Sequence, residues 1–578
     1  MMQFSLANIV EHLTFLYGPM VGRTVSDRIS KLIDHYRSLG LRSHIHRRLS
    51  SQDAILITYG DQVRASNEAP LHTLADFCQQ HLLGLLNTIH LLPFYPYSSD
   101  DGFSVIDYRQ VDPALGTWPD IDRIGLHFHL MFDAVINHIS AESDWFKQFL
   151  QDDPRYRDYF IVIEDDPDLS QVVRPRTLPL LTEVSTPLGE RKVWTTFSAD
   201  QIDLNYRNPD VLLEIIDTLL FYVAHGAEFL RLDAIAYLWK EIGTACIHLP
   251  QTHRIIQLLR SILDAVAPNV MLITETNVPH QDNISYFGDG THEAQLVYNF
   301  ALPPLVLHTF LSGDAQALSH WAAGLVLPSG QTAFFNFLAS HDGIGLNPVR
   351  GILKDVEIDR LVDHTLRHGG LVSYKHNADD TASPYELNIN YFDALSDPEG
   401  PEPIETQIDR FMAAQAIMLA LIGVPGIYFH SLFGSRGWPE GTRLTHQNRT
   451  INRQKIERDQ IERELADPTS LRHIIFNRYA QLLRARSSTA CFDPHGSQRV
   501  IECGQAIFAL ERRPPDMDRR VVCLINVSAQ PRIARIDLSG VFNAKSSFMI
   551  DLIDNKKFDV VDPQVHLQPY EVLWLTTE

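Results

Sequence analysis

The sequence is short of cysteine and of positive charge, and each shortage excludes a class of protein. Five cysteines, an odd number with no CxxC spacing, argue against a disulfide scaffold and against a structural zinc site. Asp and Glu outnumber Lys and Arg by 71 to 49, which gives a net charge of −22. Because binding to nucleic acid depends on neutralising phosphates with basic side chains, we expect no nucleic-acid partner and no anionic membrane surface.

Long apolar runs are missing as well. No stretch is apolar enough over sufficient length to span a membrane, and residues 1–18 have no basic start and carry Glu11 inside their apolar part, so no signal peptide is expected. With so few cysteines, these features predict a protein of the reducing cytosol. An anionic substrate would then have to be bound by a local cluster of basic side chains.

The chain does contain a regular alternation of short apolar runs with helical stretches. Seven apolar runs are typical of buried strands, among them TIHLLPF, AEFLRLDAIAY and IMLALIGVPGIYF, and several end in a polar or charged residue. Alternation of this kind indicates a parallel sheet. Seven or eight units over residues 53–489 favour an α/β fold of the (β/α)8 barrel type, also called a TIM barrel. A doubly wound open sheet is the alternative, but no GxGxxG motif follows an early strand.

The same pattern divides the chain into segments. A helical N-terminal extension is expected because apolar side chains share one helical face between Ser26 and Leu39, namely Ile29, Leu32, Ile33, Tyr36 and Leu39. It is expected either to cover a face of the barrel or to form the interface of a homodimer. The predicted segments are the extension 1–52, the barrel 53–138 and 209–489, an inserted B-domain lid 139–208, a second lid at about 343–403 and a C-terminal β-domain 490–578.

Four of the predicted strands end in carboxylate or histidine side chains, where barrel enzymes place their active sites. Each motif alone is also compatible with a helix cap, a structural ion pair or a core histidine. Arg231 lies two residues before Asp233 on the same strand face, so it is expected to lower the pKa of that carboxyl group. The motifs are FDAVINH with His138, FLRLDAIAYLWKE with Arg231 and Asp233, LITETN with Glu275, and FLASHDG with His341 and Asp342.

Taken together and in this order, the four motifs resemble the four conserved regions of the α-amylase clan, glycoside hydrolase family thirteen. The resemblance implies a (β/α)8 barrel with an inserted B domain, a C-terminal β-domain and retaining chemistry, which uses two carboxyl groups about 5–5.5 Å apart. It implies that Asp233 is the nucleophile, Glu275 the general acid/base and Asp342 a third carboxylate that orients sugar hydroxyl groups. His138 and His341 would hydrogen-bond the same sugar.

Other segments resemble the sucrose phosphorylase subgroup from about Asp53 to the C-terminus. They include LLPFYPYSSDDGFSVIDYRQVDPALG, RPR with the following VWTTFSADQIDL, and TINRQ. The resemblance implies a pocket for one glucosyl unit, closed by Asp100 and Arg453, and an aromatic ring, Phe197, against the glucosyl intermediate. The residues expected to bind the glucoside are Asp100, Phe103, His138, Phe197, Gln201, Arg231, Tyr237, His341 and Arg453.

Arg174 and Arg176 flank a proline in the predicted B-domain lid, where two guanidinium groups could bind an anion by bidentate hydrogen bonds. The subgroup holds phosphate with the second of these arginines, which implies that role for Arg176. The alternative is that both arginines tie the lid to acidic neighbours. The resemblance also implies an α-glucoside and inorganic phosphate as substrates, with no metal and no cofactor.

The chain length, the N-terminal extension and the long second lid are similar to those of glucosylglycerate phosphorylases, which transfer glucose between phosphate and D-glycerate. Under that resemblance Arg174, Lys375 and His376 would hold the glycerate carboxylate. Sucrose, sucrose 6-phosphate and glucosylglycerol are alternative substrates. A retaining α-glucosidase is the alternative reaction, and an inactive amylase-like binding protein is the alternative from a different class.

Overall fold

Eight parallel strands close into a barrel, so the predicted (β/α)8 fold is confirmed. The computed structural model describes residues 2–40, 48–377, 381–536, 548–559 and 564–577. Each barrel strand pairs with the barrel strands that precede and follow it in sequence, and the last barrel strand pairs with the first. The barrel strands are β1 (Ile55–Thr58), β2 (Thr88–Leu91), β3 (His129–Ala134), β4 (Ala227–Leu232), β5 (Met271–Thr274), β6 (Leu296–Tyr298), β7 (Ala333–Asn336) and β8 (Val424–Tyr428).

Helices surround the barrel and bury their apolar faces against it. The helix Pro209–Ala224 illustrates how one begins, because the Asn208 side chain accepts a hydrogen bond from the Asp210 backbone and proline occupies the first turn. Among the described residues, no helix has both the length and the apolar character needed to cross a membrane. The α-helices are Met2–Tyr17, Pro19–Ser38, Pro70–Leu82, Trp118–Gly125, Asp144–Leu150, Pro209–Ala224, Pro250–Val266, His280–Ile284, Leu302–Ser312, Gln316–Ala323, Asp355–Arg367, Tyr391–Leu395, Ile404–Ala420, Phe429–Leu432, Pro439–Thr445, Arg458–Ala466 and Leu471–Ser487. Short 3-10 turns are Asp100–Gly102, Ile235–Tyr237, Ser285–Phe287, Asn347–Val349, Asn448–Asn452 and Ala490–Phe492.

The two N-terminal helices pack against the helices Pro209–Ala224 and Pro250–Val266 on the outside of the barrel. Tyr36 is buried and its hydroxyl donates to the Asp217 carboxylate at 2.8 Å. Leu39 does not belong to the buried face as predicted, because the helix ends at Ser38 and leaves Leu39 half exposed. Residues 1 and 41–47 of the predicted extension lie outside the described residues.

Smaller sheets occupy the remaining segments. Between β3 and β4 the strands are His138–Ser140, Val162–Ile163, Leu181–Thr186, Gly189–Trp194 and Gln201–Asp203. After β7, Ile344–Gly345, Leu371–His376 and Ala382–Asn388 form a three-stranded sheet, and Val63–Arg64 pairs with Ile456–Glu457. The C-terminal strands are Ser497–Val500, Ile507–Arg513, Val521–Asn526, Arg532–Arg535, Phe548–Asp551, Lys557–Asp559, Gln564–Leu567 and Val572–Thr576. Residues 378–380 of the second lid, and residues 537–547, 560–563 and 578 of the C-terminal segment, lie outside the described residues.

The predicted strands differ from the observed strands at two places: one apolar run is only partly a strand, and one barrel strand was not predicted. The run IMLALIGVPGIYF is not one strand, because its first part ends the helix Ile404–Ala420 and only its second part forms β8. That helix is buried on nearly all sides, so it lacks the amphipathic pattern that marks a surface helix. The strand β6 was missed because it has only three residues.

Arg486 joins the first and last barrel strands to the C-terminal segment. Its buried guanidinium donates to the carbonyl groups of Asp53 at 3.1 Å, Leu419 at 3.2 Å, and Gly423 and Phe492 at 3.3 Å each. Burial lowers the pKa of Arg486 to about 9. Asp53 and Gly423 lie just before β1 and β8, Leu419 lies at the end of the helix Ile404–Ala420, and Phe492 lies in the turn Ala490–Phe492. A single side chain therefore satisfies backbone acceptors from separate parts of the fold.

Replacement of Arg486 by methionine is expected to destabilise the barrel, because it leaves several buried carbonyl groups without a donor. Each unsatisfied group costs about 1–3 kcal/mol. We expect a lower midpoint of thermal unfolding, measured by circular dichroism or calorimetry. Arg484→Met, at an exposed position of the same helix, is the matched control. An unchanged midpoint for Arg486→Met would show that the carbonyl groups find other donors.

Candidate active site

The polar ends of four barrel strands meet in one cavity at the carboxyl end of the barrel. His138 follows β3, Asp233 follows β4, Glu275 follows β5, and Asp342 follows β7. Segments between the strands supply the remaining walls. The residues predicted from sequence that line this cavity are Asp100, Phe103, His138, Arg176, Phe197, Gln201, Asp233, Tyr237, Glu275, His341 and Asp342.

Arg231 is not a wall of the cavity but a buried charge beneath it. The side chain is 1% exposed, and the strand register pairs Arg231 on β4 with Asp133 on β3. One guanidinium nitrogen donates to Asp133 and, at 2.8 Å, to Asp233. The imidazole of His90 lies 2.7 Å from the other Asp133 oxygen. The Asp233 carboxylate is therefore held from below by a cation whose own position is fixed by a second carboxylate.

Glu275 stands beside Asp233 but contacts the same guanidinium less closely. Its Oε1 lies 3.9 Å from Arg231, and its Oε2 accepts a hydrogen bond at 3.0 Å from the backbone N–H of Ala234. Ala234 adopts a left-handed conformation, with φ of 48°, directly after Asp233. The two carboxyl groups are thus neighbours that share a cation and a turn.

Burial decides the protonation of both carboxyl groups. It raises the pKa of Glu275 to about 7, with Arg231 opposing and Asp233 and Asp342 adding to the increase. It also raises the pKa of Asp233, so the expected lowering by Arg231 is only an opposing effect that burial outweighs. Arg231 is closer to Asp233 than to Glu275, so its charge opposes the effect of burial more strongly at Asp233.

The third carboxylate is held by an arginine that the sequence analysis did not single out. One Arg449 nitrogen forms an ion pair with Asp342 Oδ1 at 2.6 Å, and the two others donate hydrogen bonds to Glu386 at 2.7 and 3.0 Å. Glu386 is 1% exposed and also accepts from the backbone N–H of Gly343 at 3.0 Å. Although burial raises the pKa of Asp342, Arg449 and Arg453 hold it below its ordinary value.

Arg453 lies outside the cavity wall and fixes the loop that carries Asp100. Its guanidinium lies 3.3 Å from Asp100 and 2.9 Å from Asp101, and its Nε donates to the His341 carbonyl at 2.9 Å. Asp100 and Asp101 both have positive φ angles, 52° and 48°, so the ion pairs hold a strained loop in place. The Phe103 ring stacks on His341 at 4.7 Å between centroids.

Aromatic and amide groups complete the far wall. His138 Nε2 and Gln201 Nε2 lie 2.9 and 3.0 Å from the Phe103 carbonyl. The Phe197 ring lies 5.3 Å from His138 and 5.5 Å from Tyr237. These contacts tie the segment between β3 and β4 to the barrel.

Lys240 anchors the loop before Phe197. Its ammonium group lies 2.5 Å from the buried Asp203 carboxylate and donates to Asn137 at 2.9 Å. Asp203 in turn accepts from the Thr196 backbone N–H at 2.7 Å. The position of the Phe197 ring is thus set by a buried ion pair one residue away.

The two arginines of the RPR motif face different spaces. The Arg176 guanidinium lines the cavity and lies 5.8 Å from the centre of the Tyr385 ring. Arg174 lines a neighbouring pocket together with Lys375 and His376. Within the described ranges, neither arginine makes an ion pair with an Asp or Glu. No contact between described residues therefore supports the alternative that these arginines tie the lid to acidic neighbours.

Several cavity residues escaped the sequence analysis. Arg449 precedes Arg453 by four residues, one helical turn, and that spacing was the available signal. The others carry no distinctive local pattern, because they lie in irregular segments after β4 and β5 or in the second lid. They are Ala234, Ala236, Thr276, Asn277, Val278 and Tyr385.

Comparison with known proteins agrees with this architecture. The model of the α-amylase catalytic domain matches residues 81–323. The solved structure of sucrose 6F-phosphate phosphorylase from Thermoanaerobacter thermosaccharolyticum superposes with a TM-score of 0.72 at 24% identity, covering 84% of this chain and 96% of that chain. Barrel, inserted segments and paired carboxyl groups together define a retaining enzyme of the α-amylase class.

Two relatives define the family more closely. The glucosylglycerate phosphorylase of Spirochaeta thermophila is 50% identical over 578 residues, with 98% of each chain covered. That of Escherichia coli K12 is 45% identical over 570 residues, covering 98% of this chain and 99% of the relative. The chain belongs to the glucosylglycerate phosphorylase family, and the resemblance inferred from its motifs is confirmed.

Phosphorolysis is expected to decline as the pH rises through about 7. Glu275 must be protonated to act as an acid, and its pKa in the folded protein is about 7, so the active form is lost above that pH. The measurement is kcat/KM against pH with a glucoside whose leaving group needs a proton. In Glu275→Gln, assayed with a donor whose leaving group needs none, this alkaline decline should be absent. An identical decline in the variant would assign it to another group.

Glu386→Gln is expected to lower kcat by about 10–100-fold, because one charge-assisted hydrogen bond of about 1.5–3 kcal/mol is lost. Arg449 would then neutralise Asp342 more completely and withdraw it from the sugar. KM for phosphate should change little. Glu399→Gln, at an exposed position of the second lid, is the control. Equal activity of the two variants would contradict a positioning role for Glu386.

Proposed function

We propose that the protein transfers glucose from 2-O-α-glucosylglycerate to inorganic phosphate, with retention of configuration, giving α-D-glucose 1-phosphate and D-glycerate. The observation that carries this proposal is the position of Arg176. It brings a cation without a carboxylate partner to a cavity that already holds the three carboxylates of a retaining glucosidase. Membership of the glucosylglycerate phosphorylase family supports the choice of glycerate.

The first step forms a covalent glucosyl-enzyme. A carboxylate oxygen of Asp233 attacks the anomeric carbon while the bond from that carbon to the glycerate oxygen breaks. Glu275 donates its proton to the departing oxygen, so glycerate leaves as an alcohol. The hydrogen bond from Arg231 at 2.8 Å orients the attacking carboxylate. Asp342 accepts hydrogen bonds from sugar hydroxyl groups as positive charge develops on the ring.

In the second step phosphate, bound by Arg176, attacks the anomeric carbon from the face that glycerate left. The bond from that carbon to Asp233 breaks, and two inversions give an α-linked product. The proton of the attacking phosphate passes to Glu275, which regenerates the acid that was used in the first step. Arg176 acts here as a planar guanidinium that can hold two phosphate oxygens.

The cavity is suited to one glucosyl unit. Asp100, fixed by Arg453, closes it on one side, and Phe103 stacked on His341 closes its base. His138 and Gln201 are proposed to bind sugar hydroxyl groups, and Phe197 and Tyr237 to pack against the sugar and the acceptor. A longer α-glucan would collide with the Asp100 loop, which disfavours starch as a substrate.

The acceptor carboxylate is proposed to face the neighbouring pocket. Arg174, Lys375 and His376 line that pocket, which shares Tyr237 and Tyr385 with the catalytic cavity. A carboxylate on the acceptor would find cations there, whereas the hydroxyl groups of fructose or glycerol would not.

Cellular location and assembly are also proposals. All five cysteines are free thiols, which supports the cytoplasm as the location. A homodimer through the N-terminal helices stays a prediction, supported by the exposure of Met20 at 81%. Its test is the molecular mass in solution.

The function is tested in the synthetic direction. The protein is mixed with α-D-glucose 1-phosphate and, separately, D-glycerate, fructose, fructose 6-phosphate, glycerol or water, and phosphate release is followed. We expect fast release with glycerate alone, and none with Asp233→Asn, which lacks the nucleophile. Release with fructose or glycerol but not with glycerate would overturn the acceptor. Equal release in every mixture, water included, would indicate a hydrolase.

A further inference from the structure

A second pocket, of about 740 Å³, adjoins the catalytic cavity. The two spaces share Tyr237, Asn277, Val278 and Tyr385 as a common wall. The remaining walls come from the inserted segment after β3, from the segments after β4 and β5, and from the second lid, including the turn that carries Arg350. A glycerate ion has only three carbon atoms, so the pocket is larger than the acceptor alone requires.

The charges in this pocket are unbalanced. Three basic side chains, Arg174, Arg350 and Lys375, line it against a single acidic one, Asp282. Across the part of the chain that the structure describes, none of the three pairs with a carboxylate. The imbalance is local, because the whole protein carries a net charge of −22. A space of this kind attracts anions that the rest of the surface repels.

Arg350 lines this pocket beside Lys375, and no motif in the sequence marks it. One of its terminal nitrogens donates to the Pro384 carbonyl at 3.2 Å. Its Nε is buried and has no hydrogen-bond partner, and the same is true of the neighbouring Asn347 Oδ1. Burial and the positive charge of Arg350 both lower the pKa of Lys375, so the two cations lie close enough to repel each other. An anion between them would relieve that repulsion and satisfy the free donor.

We propose that Arg350 and Lys375 form a second anion site, outside the catalytic cavity, which inorganic phosphate and the carboxylate of glycerate share on their way to and from Arg176. The inference rests on the proposed function in one respect, namely that both exchanging substrates are anions. Glycerate must leave before phosphate can attack, and Tyr237 and Tyr385 are part of the wall that this site shares with the catalytic cavity. Cations on the outer side of that wall raise the local concentration of the incoming anion while the glucosyl-enzyme is exposed to water.

The test uses Arg350→Gln with α-glucosyl fluoride, an uncharged donor. Fluoride release with water as acceptor should match that of the unaltered protein, because no anion has to be captured. The KM for phosphate should rise about 5–10-fold, as should the KM for glycerate in the synthetic direction, with kcat nearly unchanged. Added salt should raise both KM values in the unaltered protein more than in the variant.

The controls separate charge from structure. Arg360→Gln removes the same charge from an exposed position of the helix Asp355–Arg367 and should behave as the unaltered protein does. Arg350→Lys should recover most of the affinity, and Lys375→Gln should reproduce the effect of Arg350→Gln. If Arg350→Gln also loses fluoride release with water, its fold is damaged and Lys375→Gln decides the question.

Two results would overturn the proposal. Unchanged KM values for both anions would show that no second site exists. A rise for glycerate alone would mean that these cations belong only to the acceptor subsite. The proposed function fails separately, when the unaltered protein does not use glycerate. A rise in the KM for phosphate in Arg350→Gln would still support an anion site in that case.

Discussion

The active site depends on one buried positive charge, the guanidinium of Arg231. A cation with 1% exposure needs partners that replace water, and Arg231 has Asp133 and Asp233 within hydrogen-bond distance and Glu275 at 3.9 Å. Burial raises the pKa of both catalytic carboxyl groups, and the unequal distances to this cation then separate them. The cation favours the ionised form more strongly at the nearer Asp233 than at the farther Glu275. The ends of β4 and β5 thus supply the two carboxyl groups of the proposed double displacement.

Two further arginines, in the loops above the barrel, are likewise each shared between carboxylates. Arg449 is shared between Asp342 and Glu386, and Arg453 is shared between two aspartates of a strained loop. Each guanidinium offers donors in a fixed planar fork, so it sets the angle as well as the distance of its partners. A lysine would supply the charge without that geometry. The second lid and the Asp100 loop are therefore coupled to the sugar site by charge, and movement of either would disturb the third carboxylate.

The sequence predicted those features that depend on short segments of the chain. Apolar runs that end in Asp, Glu or His predicted the barrel and the location of Asp233, Glu275 and Asp342, because parallel strands bring their carboxyl ends to one side. It did not reveal partnerships between distant segments. Arg449 and Glu386 are 63 residues apart and meet only in the folded chain. Arg231 does lower the pKa of Asp233 as expected, but two residues of sequence do not show the depth of burial, which outweighs that effect and raises the pKa.

The charge distribution differs between the sugar side and the acceptor side of the site. At the sugar, Arg231, Arg449 and Arg453 all have carboxylate partners, which favours an uncharged glucosyl ring passing through a cationic transition state. On the acceptor side Arg176, Arg174, Arg350 and Lys375 have none. A neutral nucleophile such as water gains nothing from that excess, whereas a phosphate ion gains electrostatic energy at every position along it. Preference for phosphate over the far more abundant water therefore follows from the placement of unpaired charge, and the reacting groups themselves need not distinguish the two.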